Sequence, residues 1–172
     1  MQEVEVKLKC DDPVVLDNLR DKLPSSPWMV EDHEDIYFNS PEGTCLRVGS
    51  GRAENGDKRV TFKSHSKIVD GVKTRRELEF DVNSEGFDAL KEVFVGLGFP
   101  ETITVKKTRA SYLHESATVC IDNVDGLGYF VEIEAYKNDP AAVATLNLCI
   151  EELGLSDLPR VKEGYATLVA NL

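Results

Sequence analysis

Glu3-Val4-Glu5-Val6-Lys7-Leu8-Lys9 alternates charged and apolar residues without a break. Strand side chains point to opposite faces with a period of two, so Glu3, Glu5, Lys7 and Lys9 share one face and Val4, Val6 and Leu8 the other. Taken alone, this is an amphipathic strand with its polar side in water. The pattern returns, however, in Arg75-Arg76-Glu77-Leu78-Glu79, in Val105-Lys106-Lys107-Thr108-Arg109 and in Val131-Glu132-Ile133-Glu134. Side by side in one sheet, these segments gather carboxylates and cations into one polar cleft or channel, suited to a polyanion held with a divalent metal. The competing reading is interstrand salt bridging on an exposed sheet face, where each pair adds only about 0.2–1 kcal/mol. Alternation alone favours neither.

Composition narrows the setting. A chain of 172 residues is expected to form one domain over 1–172 with a real core, and 41% hydrophobic residues suit a globular protein. No apolar run approaches the roughly 20 residues of a membrane span, and no secretory leader is read at the N-terminus. Cys10, Cys45, Cys120 and Cys149 are scattered with no CxxC pair, so reduced thiols in a cytoplasmic protein are expected. A formal charge of −11 argues against a nucleic-acid-coating surface but leaves an anionic small molecule open. No membrane partner is expected, and a homodimer is the prior for a soluble homo-oligomer.

Strands and a few helices follow one another. Asp12-Pro13 predicts a helix start, with Val15, Leu16, Leu19 and Leu23 at helical spacing until Pro24-Ser25-Ser26-Pro27. Extended segments follow from Trp28 to Phe38, then Cys45 to Val48 and Arg59 to His65 around the Asn55-Gly56 turn. After Asp70-Gly71 comes a strand from Lys73 to Val82. Ser84 is expected to cap a second helix carrying Phe87, Leu90, Phe94 and Leu97, stopped by Gly98. Strands Thr102 to Leu113, Thr118 to Asp122 and Tyr129 to Tyr136 precede a helix from Pro140 to about Leu153 and a last one from Tyr165 to Leu172. The expected architecture is α+β: one mainly antiparallel sheet, curved or closed, decorated by helices.

Parity places Glu3, Glu5, Lys7, Lys9, Arg47, Lys63, Arg75, Glu77, Glu79, Lys107, Arg109, Glu132 and Glu134 on the channel face, with Asp122 ending its strand. Hard carboxylate oxygens suit Mg²⁺ or Mn²⁺, which engage substrate phosphates through a few protein ligands. Lys and Arg neutralise the remaining phosphate oxygens, Arg two at a time. His33, His65 and His114 form no metal spacing, and no nucleophile–base arrangement supports covalent catalysis. His65 shares the parity of Lys63, so it either borders the channel or faces solvent; Tyr37 is read as packing or as a substrate contact.

These residues resemble the CYTH domain, the triphosphate tunnel metalloenzymes. The resemblance rests on the ExExK signature at Glu3, Glu5 and Lys7 and on ordered matches along nearly the whole chain. They are Asp35-Ile36-Tyr37-Phe38, Cys45-Leu46-Arg47, Phe62-Lys63, Arg76-Glu77-Leu78-Glu79, Lys107-Thr108-Arg109, Ile121-Asp122-Asn123-Val124-Asp125-Gly126-Leu127-Gly128 and Val131-Glu132-Ile133-Glu134. Two of these segments, Asp35-Ile36-Tyr37-Phe38 and Asp122 to Gly128, look most like the class IV adenylyl cyclase branch. The resemblance implies an eight-stranded antiparallel β-barrel, closed or nearly closed, with flanking helices and a polar tunnel that binds triphosphate with Mg²⁺ or Mn²⁺. It implies metal ligands at Glu3, Glu5, Asp122, Glu132 and Glu134. Substrate would be held by Lys7, Lys9, Arg47, Lys63, Arg75, Lys107 and Arg109, with Lys7, Lys63 and Arg109 in catalytic roles. The implied reaction is ATP to cyclic AMP and pyrophosphate. The alternatives are hydrolysis of inorganic triphosphate, thiamine triphosphate or a nucleotide, and binding without turnover. The chain departs from the family at Gly49, where many relatives carry a second Arg and Arg52 is a candidate substitute, and at Gly164-Tyr165, where they carry Ser-Tyr. Lys162 is a candidate terminal cation.

Overall fold

A computed structural model of the protein describes residues 2–23, 28–50, 57–115, 117–136 and 141–172. The strands are β1 (Gln2–Lys9), β2 (Met29–Phe38), β3 (Cys45–Ser50), β4 (Lys58–Lys63), β5 (Lys67–Val69), β6 (Val72–Val82), β7 (Glu101–Leu113), β8 (Ala117–Val124) and β9 (Gly128–Ala135). The helices are α1 (Pro13–Lys22), α2 (Ser84–Gly96), α3 (Ala142–Leu153) and α4 (Tyr165–Ala170). The sheet runs β1-β9-β8-β7-β2-β3-β4-β6 and closes on itself because β6 also pairs with β1, Glu3 opposite Arg75. Eight antiparallel strands thus form a closed barrel, and the short β5 extends its wall beside β6.

β1 decides how the wall is built, because both of its faces are buried. Val4, Val6 and Leu8 point outward into an apolar core with Leu16 and Leu19 of α1 and Leu146, Cys149 and Ile150 of α3. The opposite face carries Glu3, Glu5 and Lys7, buried to 3%, 7% and 4% exposure inside the barrel. Elsewhere α2 lays Phe87, Leu90 and Phe94 over Phe38, Val48 and Val60. Tyr165 and Val169 of α4 cover Val105, Val124 and Phe130. Most of the apolar burial therefore lies outside the barrel, under α1, α2 and α3, while α4 closes an apolar cluster on the inner face beside the charged channel.

Local chemistry explains the element ends. The Asp12 carboxylate accepts from the Val14 N–H, and Pro13 opens α1 as expected. The N-cap of α2 is Asn83, whose side chain accepts from the Gly86 N–H, which corrects the expected cap at Ser84 by one residue. Asp70 and Gly71 both adopt positive φ, 51° and 75°, the backbone that a two-residue hairpin turn requires. That turn makes β5, a strand the sequence reading did not foresee. The turn at Asn55-Gly56, the helix stop at Pro24-Ser25-Ser26-Pro27, the helix start at Pro140 and Arg52 lie outside the described residues. No helix among the described residues is long and apolar enough to cross a membrane.

The C-terminal segment completes the wall. The Lys9 N–H donates to the Pro159 carbonyl at 2.9 Å, and the Val161 N–H donates to the Lys7 carbonyl at 2.8 Å. Arg160 reaches the Asp70 carbonyl and the Asn147 side chain. Together these contacts tie residues 159–161 to β1 and to the β5–β6 turn. Since α3 packs its apolar side onto the outer face of β1, Leu146→Ala should lower the unfolding free energy by about 2–5 kcal/mol, read from urea denaturation. A loss below about 0.5 kcal/mol would show that the α3–wall contact does not carry the fold.

Candidate functional site: a charged channel inside the barrel

The barrel encloses a cavity of about 530 Å³. Its wall is built from alternate residues of neighbouring strands: Glu3, Glu5 and Lys7 of β1, Arg47 of β3, Lys63 of β4, Lys73, Arg75, Glu77 and Glu79 of β6, Lys107 and Arg109 of β7, and Glu132 and Glu134 of β9. Cross-strand register sets the partners. Glu3 accepts from Lys63 Nζ at 2.5 Å and from Arg75 Nε at 2.7 Å. Burial pushes the Glu3 carboxyl up, but Lys63 and Arg75 outweigh it and hold it at about 2. Glu5 lies 3.4 Å from Lys73 Nζ and 3.3 Å from Arg75 Nη2. Glu132 pairs with Lys7 at 3.3 Å and with Arg109. Burial opposes ionisation of Glu132, and Arg109 and Lys7 nevertheless hold it well below the usual carboxylate range.

Asp122 faces inward opposite Arg109 but has no exposed surface, covered by Lys107, Arg109 and Tyr165 instead of lining the cavity as a metal ligand would. It accepts from Lys107 Nζ at 2.8 Å, from Arg109 Nε at 2.6 Å and from the Tyr165 hydroxyl at 2.8 Å. Burial pushes its carboxyl up, yet Arg109 and Lys107 keep it at about 2. It therefore sits where it can aim two cations toward the cavity. Asp35 does the same for Arg47, 3.3 Å away.

The structure brings ten of the sequence-predicted site residues to the cavity surface: Glu3, Glu5, Lys7, Arg47, Lys63, Arg75, Lys107, Arg109, Glu132 and Glu134. Glu77, Glu79, Lys162 and Tyr37 line it as well. Lys9 has the expected parity but lies past the end of the channel, bonded to Asp11 and to the Tyr129 carbonyl. His65 is exposed, as is Arg76. The reading by motif missed Lys73, Asp35 and Tyr165. Lys73 shares the parity of Arg75 and Glu77, so continuing the alternation two residues back would have found it. Tyr165 carried no signal of its own beyond its place in the Gly164-Tyr165 match.

Two carboxylates on this wall are pushed toward protonation. Burial, together with the negative charges of Glu3, Glu5 and Glu132, lifts Glu134 to about 7. Burial, followed by the opposing pull of Lys63 and the push of Glu3 and Glu79, leaves Glu77 at about 7 as well. Glu5 and Glu134 are direct cross-strand partners, and like charges opposite each other repel. This donor set fits a hard divalent cation, whose charge would relieve that repulsion. Among the described residues no three His, Cys, Asp or Glu side chains form a ready-made cage. The intervening cations suit phosphate oxygens.

The CYTH domain model matches residues 1–165. A protein of Methanocaldococcus jannaschii, MJ0240, provisionally named an adenylate cyclase, is 37% identical over 146 residues, covering 81% of this chain and 79% of its own. The solved structure of PH1819 from Pyrococcus horikoshii superposes with a TM-score of 0.81 at 32% identity, covering 98% of both chains. HpAC1 of Hippeastrum, provisionally named an adenylyl cyclase and described as having a dominant triphosphatase activity, shares the fold. It has a TM-score of 0.72 at 19% identity, covering 98% of this chain and 95% of that one.

The raised carboxyls set a pH dependence for the metal-free protein. Between the ordinary value of 4.5 and about 7, folded Glu77 and Glu134 hold protons that the unfolded chain has released. Stability contributed by these groups therefore falls as pH rises through that window, and the penalty is complete above it. In EDTA, the melting temperature of the double variant Glu77→Gln, Glu134→Gln should gain on the unsubstituted protein as pH goes from about 5 to about 8. A gap independent of pH would show that neither carboxyl is shifted.

Proposed function

Because the chain belongs to the CYTH domain family, we propose that it is an enzyme that processes a triphosphate held with Mg²⁺ or Mn²⁺ in the barrel channel. Its proposed reaction is the conversion of ATP to cyclic AMP and pyrophosphate. The observation that carries the reading is the cation belt on the inner wall, Lys7, Lys63, Lys73, Lys107, Arg47, Arg75 and Arg109, interleaved with carboxylates, among them Glu134, which burial and then like charge push toward protonation. The name of the 37%-identical relative supports the cyclase reaction.

In that reaction the ribose 3′-oxygen bonds to the α-phosphorus, the bond from that phosphorus to the β-phosphate bridging oxygen breaks, and the 3′-hydroxyl proton passes to solvent. The barrel supplies position and charge. Lys7, Lys63, Lys107 and Arg109 meet the growing charge of the departing pyrophosphate, while Arg47 and Arg75 fix the phosphate chain along the channel. Asp122 and Asp35 keep their cations aimed at the cavity. A divalent ion held by Glu3, Glu5, Glu132 and Glu134 would neutralise phosphate charge and ease loss of the hydroxyl proton.

One observation also favours hydrolysis on the same scaffold. The wall grips with charged side chains throughout its middle, so the cradle addresses the triphosphate more than what is attached to it. Water bonding to the terminal phosphorus, with the bond from that phosphorus to its bridging oxygen breaking, would give phosphate and a diphosphate as products.

The test is a substrate panel of ATP, inorganic triphosphate and thiamine triphosphate, each with Mg²⁺ and with Mn²⁺, assayed for cyclic AMP and released phosphate. Cyclic AMP without phosphate is expected; phosphate without cyclic AMP would move the assignment to hydrolysis, and tight binding with neither would remove catalysis. Glu5→Gln and Arg109→Ala should each lower kcat/KM by about 100-fold or more while the fold remains, followed by circular dichroism. Turnover that survives both substitutions, or that persists in EDTA, would sink the site assignment.

A further inference from the structure

We infer that Tyr165 is a positioning residue of the channel: its ring places the ammonium groups of Lys7 and Lys107, and its hydroxyl places Asp122. The inference rests on the triphosphate reading above and adds to it a part for the C-terminal segment. Tyr165 is buried to 5% exposure and lines the cavity. Lys7 Nζ lies 3.8 Å from its ring centroid, and Lys107 Nζ lies 4.8 Å away. Both distances fall within the range where the negative face of an aromatic ring attracts a cation. The hydroxyl donates to Asp122 Oδ2 at 2.8 Å, the same oxygen that accepts from Lys107 at 2.8 Å. One side chain therefore contacts two cations and the acid that steers the second of them.

The ring is itself held. Phe130 meets it edge to face, with centroids 5.2 Å apart and planes at 71°. The chain before it is fastened to β1 through the Val161 N–H to Lys7 carbonyl bond. Lys7 Nζ also donates to the Glu163 carbonyl at 3.1 Å. Lys7 is thus located by backbone, by a carbonyl and by the ring, all from residues 161–165.

The chemistry explains why an aromatic serves here. Glu132 and Asp122 already pair with these ammonium groups, and a further carboxylate in place of the ring would add a charge that an incoming phosphate must displace. An aromatic face and a neutral carbonyl aim a cation without adding negative charge. Tyr165 can therefore fix lysine geometry without lowering the positive potential of the channel.

The experiment compares the full-length protein with Tyr165→Phe and Tyr165→Leu. Inorganic triphosphate with Mg²⁺ is titrated calorimetrically, and the lysine side-chain signals are recorded by NMR without ligand. The lysine methylene signals of Lys7 and Lys107 should carry a ring-current shift in the unsubstituted protein and in Tyr165→Phe, and lose it in Tyr165→Leu. The dissociation constant should rise by about threefold or less in Tyr165→Phe and by about tenfold or more in Tyr165→Leu. Circular dichroism checks that α4 stays folded, and Tyr165→Met, a flexible gap-filler, replaces Leu if the shorter side chain unfolds it. Equal affinity of the Phe and Leu (or Met) variants would overturn the inference and leave Tyr165 as an anchor for α4. If no protein of the set binds triphosphate, the substrate reading falls and the phosphate-directed role falls with it, while the lysine signals still decide the ring geometry.

Discussion

Closing a barrel whose inner face is charged on nearly every wall strand requires those charges to neutralise one another across strands. An ion taken out of water without a partner costs several kcal/mol even after the protein relaxes. Here Glu3 of β1 meets Lys63 of β4 and Arg75 of β6, Glu132 of β9 meets Lys7 of β1 and Arg109 of β7, and Asp122 of β8 meets Lys107 and Arg109. Each contact joins two strands, so pairing the charges and closing the sheet are one event. The site is a condition of the fold, and not an ornament on it.

Such pairs contribute little net stability, since desolvation offsets most of their attraction. The favourable term must come from apolar burial, most of it on the outer face. Val4, Val6 and Leu8 bury themselves under α1 and α3 while the residues between them carry charge into the barrel. The two-residue period of a strand makes this division possible. It also separates two kinds of substitution: trimming the outer core loses packing energy and leaves the channel chemistry in place, whereas removing one channel partner strands a buried opposite charge.

The same period explains what the sequence discloses. Parity on β1, β6, β7 and β9 was enough to assign channel residues, because on those strands most apolar and charged residues separate by face. It was blind on β2, where Glu31-Asp32-His33-Glu34-Asp35 puts ionisable groups on both faces; only pairing with β3 and β7 shows that Asp35 and His33 turn inward. Parity also specifies a face and not a depth, which is why Lys9 shares the side of Lys7 yet lies beyond the channel. Strand and helix order was legible from turn residues and caps. The three-residue β5 was not, since a segment that short has too few alternations to register. Strand count left the sheet curved or closed, and the family resemblance closed or nearly closed, because β1–β6 pairing joins residues some seventy positions apart and leaves no local signature. Tyr165 escaped for a related reason: its partners Lys7, Lys107 and Asp122 come from three different strands.

The interlocked charges have a consequence for how ligands enter under the proposed function. Lys63, Arg75, Lys7 and Arg109 are all engaged by carboxylates in the ligand-free barrel. A triphosphate that recruits those cations would leave Glu3 and Glu132 buried with weakened partners, a strongly unfavourable state. A divalent cation arriving alone would satisfy the carboxylates and free the lysines and arginines inside a cavity that then carries excess positive charge. Each ligand creates the vacancy that the other fills. By linkage, whatever one contributes to the other's binding is returned in equal measure. The carboxyls of Glu77 and Glu134, lifted to about 7 by burial and then by neighbouring negative charge, are where, under the proposed function, a cation would replace protons. A channel lined by matched acids and bases is in this sense selective for a pair, anion with cation together, over either one alone.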